Sequence, residues 1–124
     1  MSTTDAEIQT LPPIFDRGGF LSRCMGNQAL ATKLVGVFLG TLPKEQHALQ
    51  SAIETTDLDE VRRIAHRVQG TAKNLCAVPL AEAAFLVEHA AEQRDVASLY
   101  THLETLKKQA EAILGELASG AKIS

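Results

Sequence analysis

The sequence is short of aromatic residues: they make up 4% of its 124 positions, within a composition that is 45% hydrophobic and dominated by alanine and leucine. A β-sandwich draws on β-branched and aromatic side chains, so this shortage favours helices packed on helices. An excess of positive charge is missing too. With a formal net charge of −3, the chain has no basic field with which to release counterions from a nucleic acid, and no nucleic-acid partner is expected. Nowhere do about 18 uncharged apolar residues run together, so no membrane span is expected. The opening MSTTDAEIQTLPP has neither the basic start nor the apolar run of a secretion signal, and a cytoplasmic location is expected. Cysteine is scarce. Cys24 and Cys76 have no CxxC or metal-ligand spacing and are expected as reduced thiols. A Gly-rich phosphate loop, a strand pattern and an internal repeat are all absent. No Glu-x-x-His pair occurs, so His47, His89 and His102 do not suggest a di-metal bundle, and no metal site is expected.

What is present reads as one domain of amphipathic helices. Residues 1–13 form a flexible lead ending in Pro12-Pro13, the domain occupies 14–118, and the tail 119–124 is expected to fray. Asp16 can cap a short helix through Phe20, Leu21 and Met25, stopped by Gly26. Asn27 can cap a long helix over about 28–55 with apolar positions Leu30, Leu34, Val37, Phe38, Leu42, Leu49, Ala52 and Ile53. Pro43 lies inside that run. Because the apolar register continues past it, the pattern predicts one helix kinked there; two helices meeting at Pro43 is the other reading.

Asp57-Leu-Asp-Glu60 has the spacing of a capping box and opens a helix with Leu58, Val61, Ile64, Ala65, Val68, Ala72 and Leu75 on one stripe. Val78-Pro79 opens the next, with Leu80, Ala83, Ala84, Val87 and Ala90. Asp95 caps the last, where Val96, Leu99, Leu103, Leu106, Ala110, Ile113 and Leu117 alternate at spacings of three and four. The expected fold class is all-α: an antiparallel four-helix bundle with a short additional N-terminal helix.

The stretch "AHRVQGTAKNLCA", residues 65–77, carries the chemistry. At 100° per residue, His66 falls on the far side of its helix from the apolar stripe, near Arg62, Arg63, Lys73 and Gly70. An exposed imidazole is a nucleophile open to a large partner, and cations beside it suit a phosphoryl group whose charge they screen. Glycine within a helix costs about 1 kcal/mol relative to alanine. Gly70, one turn beyond His66, gives up that stability for room in which a partner's active site could close over the ring. Phe85 projects away from the Leu80–Val87 stripe. It either packs under the N-terminal helix or serves to dock a partner or a second copy of the chain.

This stretch resembles the histidine-containing phosphotransfer (HPt) domain of phosphorelays, whose pattern sets a glycine four residues after an Ala-His pair. "FLGTLPKEQHALQSAIETTDLDEVRRIAH" is similar to the family's segment before the histidine. "VPLAEAAFLVEHAAEQRD" is similar to the helix that follows, with Glu88 in its acidic position. The resemblance runs over residues 15–115. It implies that His66 accepts a phosphoryl group from a receiver-domain aspartate of a hybrid sensor histidine kinase and passes it to a response regulator. The domain would be a phosphocarrier and not an enzyme. It would need no cofactor of its own, with Mg²⁺ supplied by the partner receiver domain. The sequence departs from the family pattern at two points. Gln69 stands where lysine or arginine is usual, so Lys73, Arg62 or Arg67 is expected to supply the missing cation, Lys73 best by its helical angle. Cys76 stands where glycine is usual. The other functional reading, which Gln69 favours, is an HPt-fold adaptor that binds signalling partners without phosphorylation.

Overall fold

The computed structural model describes residues 13–119, so the expected lead and tail lie outside the described residues except for Pro13 and Ser119. Five helices follow in order: α1 Arg17–Arg23, α2 Gln28–Glu54, α3 Leu58–Asn74, α4 Val78–Glu92 and α5 Val96–Ser119. From α2 to α5 each packs on the next, and α5 returns to α2, closing an antiparallel four-helix bundle. The short α1 lies across one end. The Asp16 N–H donates to the Cys76 carbonyl at 3.1 Å, and the Arg17 guanidinium to the Glu116 carbonyl at 3.1 Å. Phe20 then sits between the rings of Phe15 and Phe38, at centroid distances of 5.7 and 6.4 Å.

Side-chain caps start four of the helices. Asp16, Asn27, Asp57 and Asp95 accept from the N–H groups of Gly19, Leu30, Glu60 and Ser98. The Ser98 N–H and hydroxyl, both donating to Asp95, hold its carboxyl below the ordinary aspartate range. Ala77 offers α4 no such cap, and Pro79 in the first turn replaces it.

All four links between helices close in one way. Met25, Thr56, Cys76 and Arg94 each follow the capping residue of a helix with φ between 55° and 59°. In each case the next residue's N–H reaches back five positions: Gly26 to Leu21, Asp57 to Ala52, Ala77 to Ala72 and Asp95 to Ala90, at 2.9 to 3.0 Å. This is the Schellman motif, usually built on glycine. Gly26 was the expected stop of α1, but Met25 takes the left-handed position and Gly26, at φ 73°, follows it. The same geometry alters the expected capping box of α3. Because the Asp57 N–H is already given to Ala52, the Glu60 carboxylate does not turn back to it and pairs instead with Arg63, with Nε to Oε1 at 2.7 Å.

Pro43 lies inside an unbroken α2. The inner face of that helix runs through Ala31, Val35, Leu42, Glu45, Leu49, Ala52 and Ile53, so the expected core positions Leu30 and Val37 turn out to be exposed. Extending the three-four spacing upward from Leu49 and Leu42 selects Val35 and Ala31, one step off the bulkier residues. On α5, Val96 in the first turn is exposed while Leu99 through Leu117 are buried as expected. Among the described residues, no helix is long and apolar enough to cross a membrane.

Candidate functional site

Helix α3 turns its apolar stripe fully inward, from Leu58 and Val61 to Ala72. That orientation fixes its other face outward and carries His66 with it. The His66 side chain is 71% exposed, yet the ring is held: Nδ1 lies 3.0 Å from Glu88 Oε2 on α4. Glu88 itself is only 13% exposed, so its position is set by the packing of α3 on α4. A carboxylate oxygen only accepts, so the shared hydrogen belongs to Nδ1, and Nε2 has no hydrogen-bond partner among the described residues. Glu88 thus places a hydrogen on Nδ1 and sets the direction of the ring.

The cations near His66 divide by what they already hold. Arg63 makes a two-pronged pair with Glu60, whose carboxyl is drawn below its ordinary range, first by that hydrogen bond. Arg67 Nε lies 3.2 Å from Oε2 of Glu45, a carboxylate reaching across from α2 and only 10% exposed. Arg62 and Lys73 make no ion pair among the described residues. Lys73 and Gln69 face a groove that runs along the junction of α3 and α4. Of the residues expected at the site, Lys73, Gly70 and Arg62 therefore share the exposed face of α3 with His66, Gln69 lies half-buried at its edge, and Arg67 is drawn toward α2 by Glu45.

Gly70 is exposed, and a Cβ built on it would meet no atom within 4 Å. Open space does not set it apart, since Gly36, Gly40 and Gly115 have it too; its place one turn past His66 does. Phe85 is 50% exposed and lines the same groove, its ring stacked on His89 at 6.1 Å. Packing beneath α1 does not cover it. His47 is exposed and His102 half-buried, and among the described residues no group of histidines, cysteines and carboxylates could hold a metal ion. Cys24 is buried and Cys76 half-buried, both as free thiols.

Sequence reasoning missed two contacts. Glu45 falls on the inner stripe of α2, midway between Leu42 and Leu49, and an acid at that position signals a buried pair. The partner, Arg67, was legible only as a surface cation. Glu88 was legible as an acidic position on α4, but its bond to His66 depends on how two helices pack.

The Hpt domain family model matches residues 33–116. A comparison with curated proteins gave no match. Among solved structures, the fold is similar to the HPT domain from the Hpt sensor hybrid histidine kinase of Shewanella, with a TM-score of 0.67 at 17% identity. That alignment covers 86% of this chain and 95% of the other. With the match spanning most of α2 and all of α3 and α4, including the His66 face, the chain belongs to the Hpt domain family.

Proposed function

We propose that this Hpt domain, a member of a phosphorelay family, carries phosphoryl groups on His66 between receiver domains. It accepts from an aspartyl phosphate of a hybrid sensor histidine kinase and gives to a response regulator. The observation that carries this reading is the His66–Glu88 pair: an exposed ring whose Nδ1 is occupied at 3.0 Å and whose Nε2 is free. In the transfer, the Nε2 lone pair attacks phosphorus, the N–P bond forms, and the P–O bond breaks with its electron pair leaving on the aspartate. The ring gains positive charge while keeping its Nδ1 proton, and the Glu88 carboxylate lies beside that charge.

The reading extends to the flanking residues. Lys73 supplies the cation that Gln69 does not, and Gly70 leaves room for the partner. The partner's receiver domain supplies Mg²⁺ and the catalytic groups, so this chain is a carrier and not an enzyme, working in the cytoplasm.

The test is intact mass at mildly alkaline pH after exposure to phosphoramidate, with His66→Ala alongside. The expected result is one added phosphoryl group on the native chain, absent from the variant and lost on acidification. In a receiver-transfer assay, Lys73→Ala is expected to slow acceptance; a native rate would remove Lys73 from the site. No adduct on a folded native chain, together with failure against phosphorylated receivers, would overturn the carrier. The uncharged Gln69 would then favour a phosphorylation-independent adaptor.

A further inference from the structure

Among the described residues, Glu45 is the one charged side chain that is buried, at 9% exposure, on the inner stripe of α2 between Leu42 and Leu49. The carrier mechanism gives it no part. Its ion-pair partner is Arg67, with Nε to Oε2 at 3.2 Å, and Arg67 directly follows His66. A buried charge pair is weak grounds for stability: withdrawing both ions from water offsets their attraction, and well-packed apolar replacements are often as stable or more so. Leucine at 45 would simply continue the spacing of Leu42 and Leu49. The pair therefore calls for another explanation, and its position supplies one.

Successive residues on a helix point about 100° apart. His66 is tied to Glu88 on α4 and Arg67 to Glu45 on α2, so the turn bearing His66 is held from both neighbouring helices. Apolar packing restrains that turn less firmly. Beyond Ile64 the buried stripe of α3 narrows to Ala65, Val68 and Ala72, and short side chains interlock shallowly. A rotation of α3 by about 20° away from α4 would move a Cα, at a radius of about 2.3 Å, by about 0.8 Å and the ring, farther out, by more. The 3.0 Å contact with Glu88 would then pass out of hydrogen-bond range.

We propose that Glu45 is a positioning residue for phosphoryl transfer: through Arg67 it fixes the rotation of α3 and so keeps the His66 ring on Glu88, with Nε2 available to the partner. The effect on transfer rests on the reading of His66 as phosphoryl acceptor; the hold on the ring does not.

The test replaces the pair together, Glu45→Leu with Arg67→Met, so that no buried charge is orphaned. Glu45→Leu alone cuts the same tie and guards against a paired variant that does not fold. Glu45→Gln is the conservative control, because its amide oxygen still accepts from Arg67 Nε. The first readout is the proton–nitrogen spectrum of the His66 imidazole. The native chain and Glu45→Gln are expected to show the hydrogen on Nδ1, and the cut variants a mixture of Nδ1–H and Nε2–H forms. An unchanged ring in the cut variants would overturn the assignment. The urea midpoint of the paired variant is expected to match or exceed the native one. A ring that changes only in variants whose midpoint also falls would make Glu45 a structural support and overturn the positioning role.

The second readout is transfer from a phosphorylated receiver domain. In the cut variants the maximal rate is expected to fall about tenfold or more, the scale that an ångström of misplacement costs, with the half-saturating receiver concentration unchanged and the rate recovered in Glu45→Gln. A native rate would overturn the role in transfer. A change confined to the half-saturating concentration would overturn it as well, because Arg67 would then be a contact of the partner. Absence of a phosphoryl adduct on His66 of the native chain would fell the carrier reading and leave the imidazole comparison standing.

Discussion

At the scale of single residues, the site is built from small commitments that free one atom. Glu88 occupies Nδ1 of His66, Glu60 occupies Arg63 and Glu45 occupies Arg67, so Nε2, the Lys73 ammonium and the Arg62 guanidinium are left for a partner. Gly70 tests whether that availability is the purpose of the arrangement. Alanine there meets nothing within 4 Å and relieves the helix of its glycine, so Gly70→Ala is expected to stabilise the fold by about 1 kcal/mol in urea denaturation. Phosphoramidate is small and should load the variant at the native rate, while transfer from a receiver domain should slow. If receiver transfer is unchanged, the glycine has no part in access. His66 and Gly70 were legible in the sequence because both sit on a face defined by the period of their own helix. Glu88 was legible as an acid but not as a partner of His66. No periodicity says which side chain of a neighbouring helix will stand opposite.

At the scale of elements, the helices and their starts were largely legible and the way they close at the C-terminal end was not. Capping side chains for four helices, Pro79 for α4, and apolar spacing located all five, because these signals act within a turn or two. The closing motif was hidden. Left-handed positions announce themselves through glycine, and this chain puts methionine, threonine, cysteine and arginine there. Cys76 explains one departure from the family pattern: it holds the left-handed position after α3, where glycine would sit without strain. A left-handed non-glycine residue costs about 1 to 2 kcal/mol, offset in part by the entropy glycine loses on folding. Cys76→Gly is therefore expected to raise stability by about 1 kcal/mol, read as a higher urea midpoint at unchanged slope. A lower midpoint would mean that the half-buried thiol packs more favourably than the backbone is strained. The inner face of α2 was misread for a related reason: Ala31 and Val35 fill it, and small residues signal burial less loudly than Leu30 and Val37 beside them.

At the scale of the whole molecule, the bundle joins a rigid frame to a face that faces outward. The apolar stripes of α2 to α5 close on one another, and α1 seals one end through Asp16, Arg17 and Phe20. Nothing in that frame has to move for His66 to be reached. The links set a further property, one of time. Each pair of successive helices is joined by three or four residues, so most of the helix packing is between neighbours in the chain, with α5 against α2 and the Arg17–Glu116 contact of α1 with α5 as long-range closures. Native contacts that close short loops are found quickly, and helical domains dominated by them fold in microseconds to milliseconds. A single relaxation in that range is expected in temperature-jump experiments followed by far-ultraviolet circular dichroism. A resolved second phase would point to the late docking of α5 on α2. The three- and four-residue links that hold a methionine, threonine, cysteine and arginine in the left-handed position are thus also what keeps the bundle's main contacts local and the conformational search short.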